Sequence, residues 1–364
     1  MNGIEYNILK SIADISPTEW DSVFGDIPEG YKFYKTLEES RLEQFSFLYI
    51  IIRKNGKTIL IAPVFTADFN LDIAVEGALG DIIRYIRKAV PRFLVVKTLF
   101  AGSPFGENGV IGISKDCDDA PGAISELASV IINHASSNKI PFIIFKDMPD
   151  KDTRHLDTLK NSGFLKVTSL PSVVMGTDFR SMDDYFKSLS HSRRKDIRRK
   201  IKKAHAEGRI ELKITDDVSG IIDDIHSLYM NTYSAGKTKF EKLTREFFLN
   251  AAANMKPHAK FFLYYINGRL AAFNLCLVYK DLFIDKFIGF DYDVSYKYNL
   301  YFLSWCSNVE WCIKNGMKRF QTGQTDYHPK LSLGGRHVPL HAYIRHTNPA
   351  MDVFLKLMAR FLRS

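Results

Sequence analysis

Cysteine is scarce in this sequence: four residues in 364, at Cys117, Cys276, Cys306 and Cys312. None forms a CxxC pair, and none stands at a metal-like spacing from histidine, which removes the zinc-ribbon and thioredoxin-type classes and leads us to expect no metal site. Cys306 and Cys312 are six apart on an expected helix and so do not share a face. Buried free thiols are the expected state, and they point to a cytoplasmic protein. No segment approaches the roughly 18 uninterrupted apolar residues of a membrane span. The start, MNGIEYNILKSIADIS, has no basic stretch followed by an apolar run, so no secretory signal is expected. Helix-turn-helix, zinc and ribbon signatures are absent as well, which argues against sequence-specific DNA reading.

What is present is a long, ordinary globular composition with one abnormal stretch. Hydrophobic residues make up 46% and charged residues 25%, and 364 residues are too many for one core, so two domains are expected. Between Arg193 and Lys203 lie eight basic residues (Arg193, Arg194, Lys195, Arg198, Arg199, Lys200, Lys202 and Lys203) against one acid, Asp196. That segment carries +7 of the chain's +9, leaving +2 for everything else. Ile197, Ile201 and Ala204 give it a narrow apolar stripe, so a helix over 186–207 can pack on a domain and still present its charge. Eight like charges repel one another and favour an anionic partner such as a phosphate.

The two halves of the chain read alike. FSFLYIIIRKNGKTILIAPVF (45–65) and AKFFLYYINGRLAAFNLCLVY (259–279) are apolar strands around Asn55-Gly56 and Asn267-Gly268, and Asn-Gly suits a type I′ hairpin turn. Each hairpin is followed by a strand, an apolar-faced helix (AISELASVIINHASSNK; NLYFLSWCSNVEWCIKNG) and another strand (PFIIFKDMP; MKRFQTGQ). A repeat of about 210 residues is a duplicated domain rather than a solenoid. The expectation is an α/β (α+β) chain with a mixed, mainly antiparallel sheet flanked by helices in each half. Domains are expected over 1–178 and 179–364, the second entered through the basic helix.

Candidate chemistry concentrates near the end of the second half. QTGQTDYHPK (321–330) packs Gln324, Asp326, His328 and Lys330 into a strand-end loop, where Asp326 or His328 could remove a proton, Gln324 orient a carbonyl and Lys330 bind an anionic group. The blander reading is a polar turn before Pro329. Asp285 and Lys286 interrupt an apolar strand, LFIDKFIGF. Their side chains should take opposite faces, each paired or functional, since a buried charge is costly. Tyr296, Tyr298 and Tyr301 could cover a donor or stack on an adenine, with plain packing as the alternative. Tyr229 and Tyr233 share one helix face. The terminal AMDVFLKLMARFLRS is amphipathic, with Phe354, Leu357, Met358, Phe361 and Leu362 on one side, and either packs on the second domain or touches a membrane surface.

Three stretches carry a resemblance. LSHSRRKDIRRKIKKA, LYMNTYSAGKTKFEKLTREFF and WCIKNGMKRFQTGQTDYHPKLSLGGRHVPLHAYIRHTNP are similar to the FemAB-like branch of the GNAT acyltransferase superfamily, best over 185–350, in its peptidoglycan-biosynthesis-protein-like subgroup. The resemblance implies two tandem GNAT-type domains and amine acylation by direct attack, without a tightly bound cofactor. It implies an acceptor pocket bordered by Tyr229 and Tyr233, with Asp285 and Lys286 nearby. The donor side falls to Arg193, Arg194, Arg198, Tyr296 and Tyr298. Acyl-CoA is the first donor considered and aminoacyl-tRNA, in cell-wall branching, the alternative. A binding module for an anionic polymer is the non-catalytic rival. One departure stands out: GFDYDVSYKYNL (289–300) lacks the glycine turn that cradles pyrophosphate in acyl-CoA enzymes and adds carboxylates there, and AGSPFGENG (101–109) does not match that turn either.

Overall fold

The computed structural model describes residues 3–70, 85–86, 90, 92–236 and 240–361. The first elements are β1 (Ile4–Leu9), α1 (Pro17–Phe24), α2 (Tyr31–Glu39), β2 (Ser46–Lys54), β3 (Lys57–Asn70) and β4 (Val95–Ala101). They are followed by β5 (Gly112–Ile113), α3 (Ala120–Ser137), β6 (Phe142–Pro149), α4 (Thr153–Leu156), β7 (Leu165–Thr168) and β8 (Ser172–Gly176). The middle holds α5 (Met182–Ser188), α6 (His191–Glu207), β9 (Ile210–Thr215), α7 (Ile222–Ala235), α8 (Arg245–Asn254), β10 (Ala259–Ile266), β11 (Arg269–Tyr279) and β12 (Leu282–Phe290). The chain closes with α9 (Tyr292–Tyr298), α10 (Leu300–Lys314), β13 (Arg319–Gln321), α11 (Tyr327–Ser332), β14 (Arg336–Val338), β15 (Leu340–His346) and α12 (Pro349–Phe361).

Both Asn-Gly hairpins form. Asn55 and Gly56 have φ 52° and 76°, and Asn267 and Gly268 have 49° and 82°, the paired positive values a two-residue hairpin turn requires. Of the strands they join, β3, β10 and β11 are buried over most of their length and β2 over its centre, as expected where helices cover a sheet.

The chain divides into two units, and the division is not the expected 1–178 and 179–364. Unit 1 comprises Met1–Asp26, Glu43–Leu170 and Pro339–Ser364; unit 2 comprises Ile27–Leu42 and Pro171–Val338. The sheet of unit 1 runs β1-β2-β3-β4-β6-β15-β7, and that of unit 2 runs β14-β8-β13-β12-β11-β10-β9. In each sheet one neighbouring pair is parallel, β4–β6 in the first and β12–β13 in the second. The strand closing the far side of that pair comes from the other half of the sequence. β15 pairs with β6 in unit 1, and β8 pairs with β13 in unit 2. Helix α2 likewise packs on α8 of unit 2. An apolar strand such as SVVMG offers the same hydrogen bonds to either sheet, so the sequence pattern does not reveal which edge it closes.

The core of unit 1 is built by α3 against the sheet, with Ile124, Leu127 and Ile131 meeting Ile50, Leu60, Ile143 and Phe145. In unit 2, α10 lays Trp305, Cys306, Val309 and Cys312 on Phe262, Cys276, Phe283 and Phe320. On the opposite face α7 approaches β12 at Gly289, where a Cβ would come within 2.3 Å of Phe273 and 2.7 Å of the Leu228 carbonyl carbon. Only glycine permits that approach. The expected basic helix over 186–207 is two helices, because Ser190 caps the second, accepting from Arg193 N at 3.3 Å. The terminal helix, expected on the second domain, belongs to unit 1 and packs on β15.

Candidate active site

The sheet of unit 2 opens beside β12. Hydrogen-bonded register with β13 holds only from Leu282 to Ile284, opposite Arg319 to Gln321. Beyond it β13 stops while β12 continues to Phe290, still paired with β11 on its other side. Gly323, at φ 68°, turns the chain away, and the Thr322 and Gly323 backbones bond instead to Val173 of β8. The β11–β12 register slips at the same place. Leu275 lies opposite Phe287 and Cys276 opposite Asp285, so Lys286 is the extra residue of a bulge, a device that re-aims side chains.

Asp285 and Lys286 take opposite faces, as their strand positions required. The Asp285 carboxylate accepts from Asn274 Nδ2 at 2.8 Å and from Asn308 Nδ2 at 3.3 Å. Both asparagines are fully buried, and among the described residues their Oδ1 atoms have no hydrogen-bond partner. Beside them the Tyr301 hydroxyl is buried without a partner, and its pKa is raised by burial, then by Asp285 and Asp326. That hydroxyl therefore feels both the carboxylate inside the opening and the one on the loop at its mouth, and stays a neutral donor. Burial, with Asp285 next, also pushes the Cys276 and Cys312 thiols up, while burial and Glu310 push Cys306 up to about 12. Thiols so placed are poor nucleophiles.

On the other face Lys286 forms a buried ion pair with Glu29 and lies 5.5 Å from the centre of the Phe33 ring. Both partners belong to unit 2, because the 27–42 segment is part of it. Tyr229 is buried there. Its hydroxyl donates to the Glu241 carbonyl at 2.9 Å and accepts from Leu243 N at 3.3 Å, so it fastens the 241–243 loop. Tyr233 lies 6.2 Å from it, ring to ring, and is only half-buried.

The loop 321–330 is pinned to β8. Gln321 Nε2 donates to Ser172 Oγ at 3.0 Å and the Tyr327 hydroxyl to the Pro171 carbonyl at 3.0 Å. Asp326, at φ 51°, and His328 are exposed at the start of α11, and Gln324 is half-buried. Lys330, expected to meet an anion, is turned inward: it is buried and donates to the Thr322 carbonyl, which holds the chain away from β12. A long side chain in the short helix α11 can fold back to satisfy that carbonyl, which the sequence pattern does not show.

The basic helix neutralises part of itself. Arg199 and Lys200 bond Asp196 at 2.7 and 2.9 Å, Arg193 approaches it at 3.5 Å, and Arg198 bonds Asp183 at 2.7 Å. Lys200 also lies 3.6 Å from the Phe302 ring centre. Arg194, Lys195, Lys202 and Lys203 form no ion pair among the described residues, and the three lysines are exposed. The start of α6 and the end of α11 share a depression of about 380 Å³ lined by Ser190, Ser192, Arg193, Asp196 and Ser332. Arg193 of the basic stretch thus lies beside Ser332, which is two residues past the 321–330 loop.

Two tyrosines of the expected donor site separate. Tyr298 is buried, donating to the Glu207 carbonyl at 3.1 Å, whereas Tyr296 is exposed. The N-terminus of α9 is already filled. Asp291 Oδ1 accepts from Asp293 N at 3.1 Å, its carbonyl accepts from Val294 and Ser295, and its other oxygen meets Arg269 at 3.4 Å. The residues that sequence reasoning missed are Asn274 and Asn308. Each is a single amide in an apolar element (RLAAFNLCLVY; LSWCSNVEW), on the side that period and pattern assign to the core.

Comparison with solved structures fits the fold. The crystal structure of FemX matches with a TM-score of 0.57 over 93% of this chain and 96% of that one, at 11% identity. A tandem GNAT protein from the clavulanic acid biosynthesis pathway matches with 0.56 over 95% and 99%, at 10% identity. The chain is thus of the tandem GNAT fold class. The model of the FemAB-like family, described as peptidoglycan biosynthesis/recognition, matches residues 108–363. This chain belongs to the FemAB-like family. Among curated proteins it is 23% identical over 337 residues to a Mycobacterium tuberculosis protein named 8-amino-7-oxononanoate synthase 2. The match takes in 90% of this chain but 44% of that protein, so this chain spans less than half of the relative's length.

Proposed function

We propose that the protein is a cytoplasmic N-acyltransferase that transfers an acyl group from a phosphate-bearing donor to an amine of a cell-envelope precursor, at the opening beside β12. The observation that carries this reading is the Tyr301 hydroxyl, buried and unpartnered among the described residues, between Asp285 and Asp326. Amine acylation needs a proton acceptor for the attacking nitrogen, a donor to the developing oxyanion, and a proton for the leaving group. Asp326, exposed at the mouth, takes the amine proton. Tyr301, held neutral, donates to the oxyanion. Asp285, fixed by two amides, keeps that hydroxyl protonated through its own charge. The nitrogen forms the new bond to the donor carbonyl carbon, and the donor's ester or thioester bond breaks. The proton lost by nitrogen ends on the departing oxygen or sulfur.

Of the two donors, aminoacyl-tRNA is favoured over acyl-CoA by the start of α9. A pyrophosphate would meet the Asp291 and Asp293 carboxylates and backbone N–H groups already in use. The exposed Lys195, Lys202 and Lys203 span two turns of α6 and suit a polyphosphate backbone. The test is a transfer assay with a mixed aminoacyl-tRNA pool and, separately, acetyl-CoA, each with a primary-amine acceptor. Transfer from the charged tRNA pool, lowered by Tyr301→Phe, is the expected result. Transfer from acetyl-CoA alone overturns the donor, and undiminished transfer by Tyr301→Phe overturns the site.

A further inference from the structure

Strand β9 (Ile210–Thr215) ends the sheet of unit 2, and no strand lies on its outer side among the described residues. On its inner side it pairs with β10, Ile210 opposite Ile266 and Thr215 opposite Phe261. A free edge presents a row of backbone N–H and C=O groups, which proteins ordinarily blunt with proline, a bulge or a covering element. Here the strand has no proline, its register with β10 is unbroken, and Glu211, Leu212, Lys213 and Ile214 are all exposed. Leu212 and Ile214 are 39% and 40% exposed, although their strand partners, Tyr264 and Phe262, are buried in the core of unit 2. The apolar layer of the sheet thus runs out to the edge and stops there uncovered.

We propose that β9 is a dimerisation edge, which pairs antiparallel with β9 of a second copy of this chain about a two-fold axis at Leu212. The backbone restricts the register. Directly opposed residues of an antiparallel pair either both turn their N–H and C=O groups toward each other or both turn them away. Two copies of one strand related by a two-fold axis therefore centre on a residue, never between two. Centred on Leu212, Glu211 opposes Lys213 in both directions, Ile210 opposes Ile214, and Leu212 meets its own copy. Opposite charges and apolar pairs across strands stabilise a sheet, and opposed like charges weaken it. A centre on Glu211 sets that carboxylate against itself and Arg209 against Lys213. A centre on Lys213 brings two ammonium groups face to face, and one on Ile214 puts Leu212 opposite Asp216. Charge complementarity thus selects one occupant and one register. Lys213 has no ion pair among the described residues, and the 3.3 Å contact of Glu211 with Arg209 joins two exposed side chains, a pairing worth little. The edge strand of unit 1, β1 (IEYNIL), carries an acid and no cation and does not offer this match. Six residues a side make a small contact, so the dimer forms in a concentration-dependent equilibrium. The proposal does not depend on the donor, acceptor or catalytic reading.

Analytical ultracentrifugation of the full chain tests it, at about 150 mM salt so that the net charge of +9 on each copy is screened. The expected result is a monomer–dimer equilibrium in the parent. Lys213→Glu and Glu211→Lys should each weaken it at least tenfold, with an unchanged melting temperature. The exchange Glu211→Lys/Lys213→Glu should restore it, and the two single variants mixed together should associate as the parent does. Leu212→Cys reads the register directly, since opposed strand residues have Cα atoms about 4.5–5.5 Å apart, within reach of a disulfide. Mild oxidation should cross-link copies of Leu212→Cys, and leave Thr215→Cys and the parent uncross-linked. A parent that stays monomeric at the highest concentration it tolerates, with no cross-linking of Leu212→Cys, overturns the proposal. So does a dimer that the charge variants leave intact, which places the contact on another face. A dimer lost in the single variants and not recovered by the exchange overturns the register, and the second-copy assignment with it.

Discussion

Asn308 on α10 donates to the Asp285 carboxylate on β12 at 3.3 Å, which ties helix to strand where the sheet opens. A charge held by two amides inside a core is strongly position-dependent. Replacing Asp285 with asparagine keeps its volume and removes its charge. Asp285 acts through the Tyr301 oxyanion donor, and losing such a donor entirely costs about 10²–10³ in kcat. Asp285→Asn should therefore lower kcat by up to roughly two orders of magnitude, with little change in the melting temperature. Single-turnover kinetics beside a thermal melt would check it. Full turnover would make Asp285 purely structural.

How much of this arrangement could be read from the amino acids is clearest at Asp285 and Lys286. Two charges in an apolar strand had to take opposite faces with partners, and they do. The partner Glu29 was not legible, because it lies 257 positions away on a segment that crosses into the other unit. The hairpins, α3, α10 and their following strands were legible because local turn chemistry and periodicity specify them. The exchange of β8 and β15 was not, since strand pairing is a non-local choice between equivalent edges. Lys330 was read by residue type as an anion binder. Its inward turn follows from one carbonyl, Thr322 O, that pattern alone does not expose.

Alkaline pH should weaken the fold. Burial raises the pKa of Tyr185, Tyr229, Tyr264, Tyr301 and Tyr343 well above the ordinary tyrosine value. A group whose pKa is higher folded than unfolded contributes stability that is intact below the unfolded value and is lost as pH rises past it. Tyrosine in an unfolded chain titrates near 10. The midpoint of chemical unfolding should thus be steady from about pH 7 to 9 and fall above about 10. Tyr301→Phe should flatten that fall. A midpoint that does not move between pH 9 and 11 would contradict the assignment.

The Lys286–Glu29 pair is buried on both sides, so breaking it differs from deleting it. Removing one partner leaves an uncompensated interior charge, at a cost of about 3–5 kcal/mol, whereas replacing both with apolar residues is often neutral. Lys286→Met should lower the urea midpoint sharply, and Glu29→Leu/Lys286→Met should restore most of it. A double variant as unstable as the single would mean that packing around Phe33, rather than charge, dominates there.

Arg194, Lys195, Lys202 and Lys203 of α6 have no ion pair among the described residues, the three lysines are exposed, and their use is measurable as a salt slope. Each phosphate neutralised on a single strand contributes a slope of about −0.7 in log K against log salt, and about −0.9 on a duplex. Lys195→Gln/Lys202→Gln/Lys203→Gln removes three of the four and leaves the Asp196 and Asp183 bridges intact. If these lysines contact donor phosphates, the slope for tRNA binding should fall by about two to three, with affinity at low salt reduced more than tenfold. The matching substitution of bridged residues, Arg198→Gln/Arg199→Gln, should change the slope less, because those guanidiniums are shared with acids. Filter binding of a deacylated tRNA pool from about 50 to 200 mM salt resolves a change of that size. Equal slopes for parent and triple variant would remove α6 from the donor site.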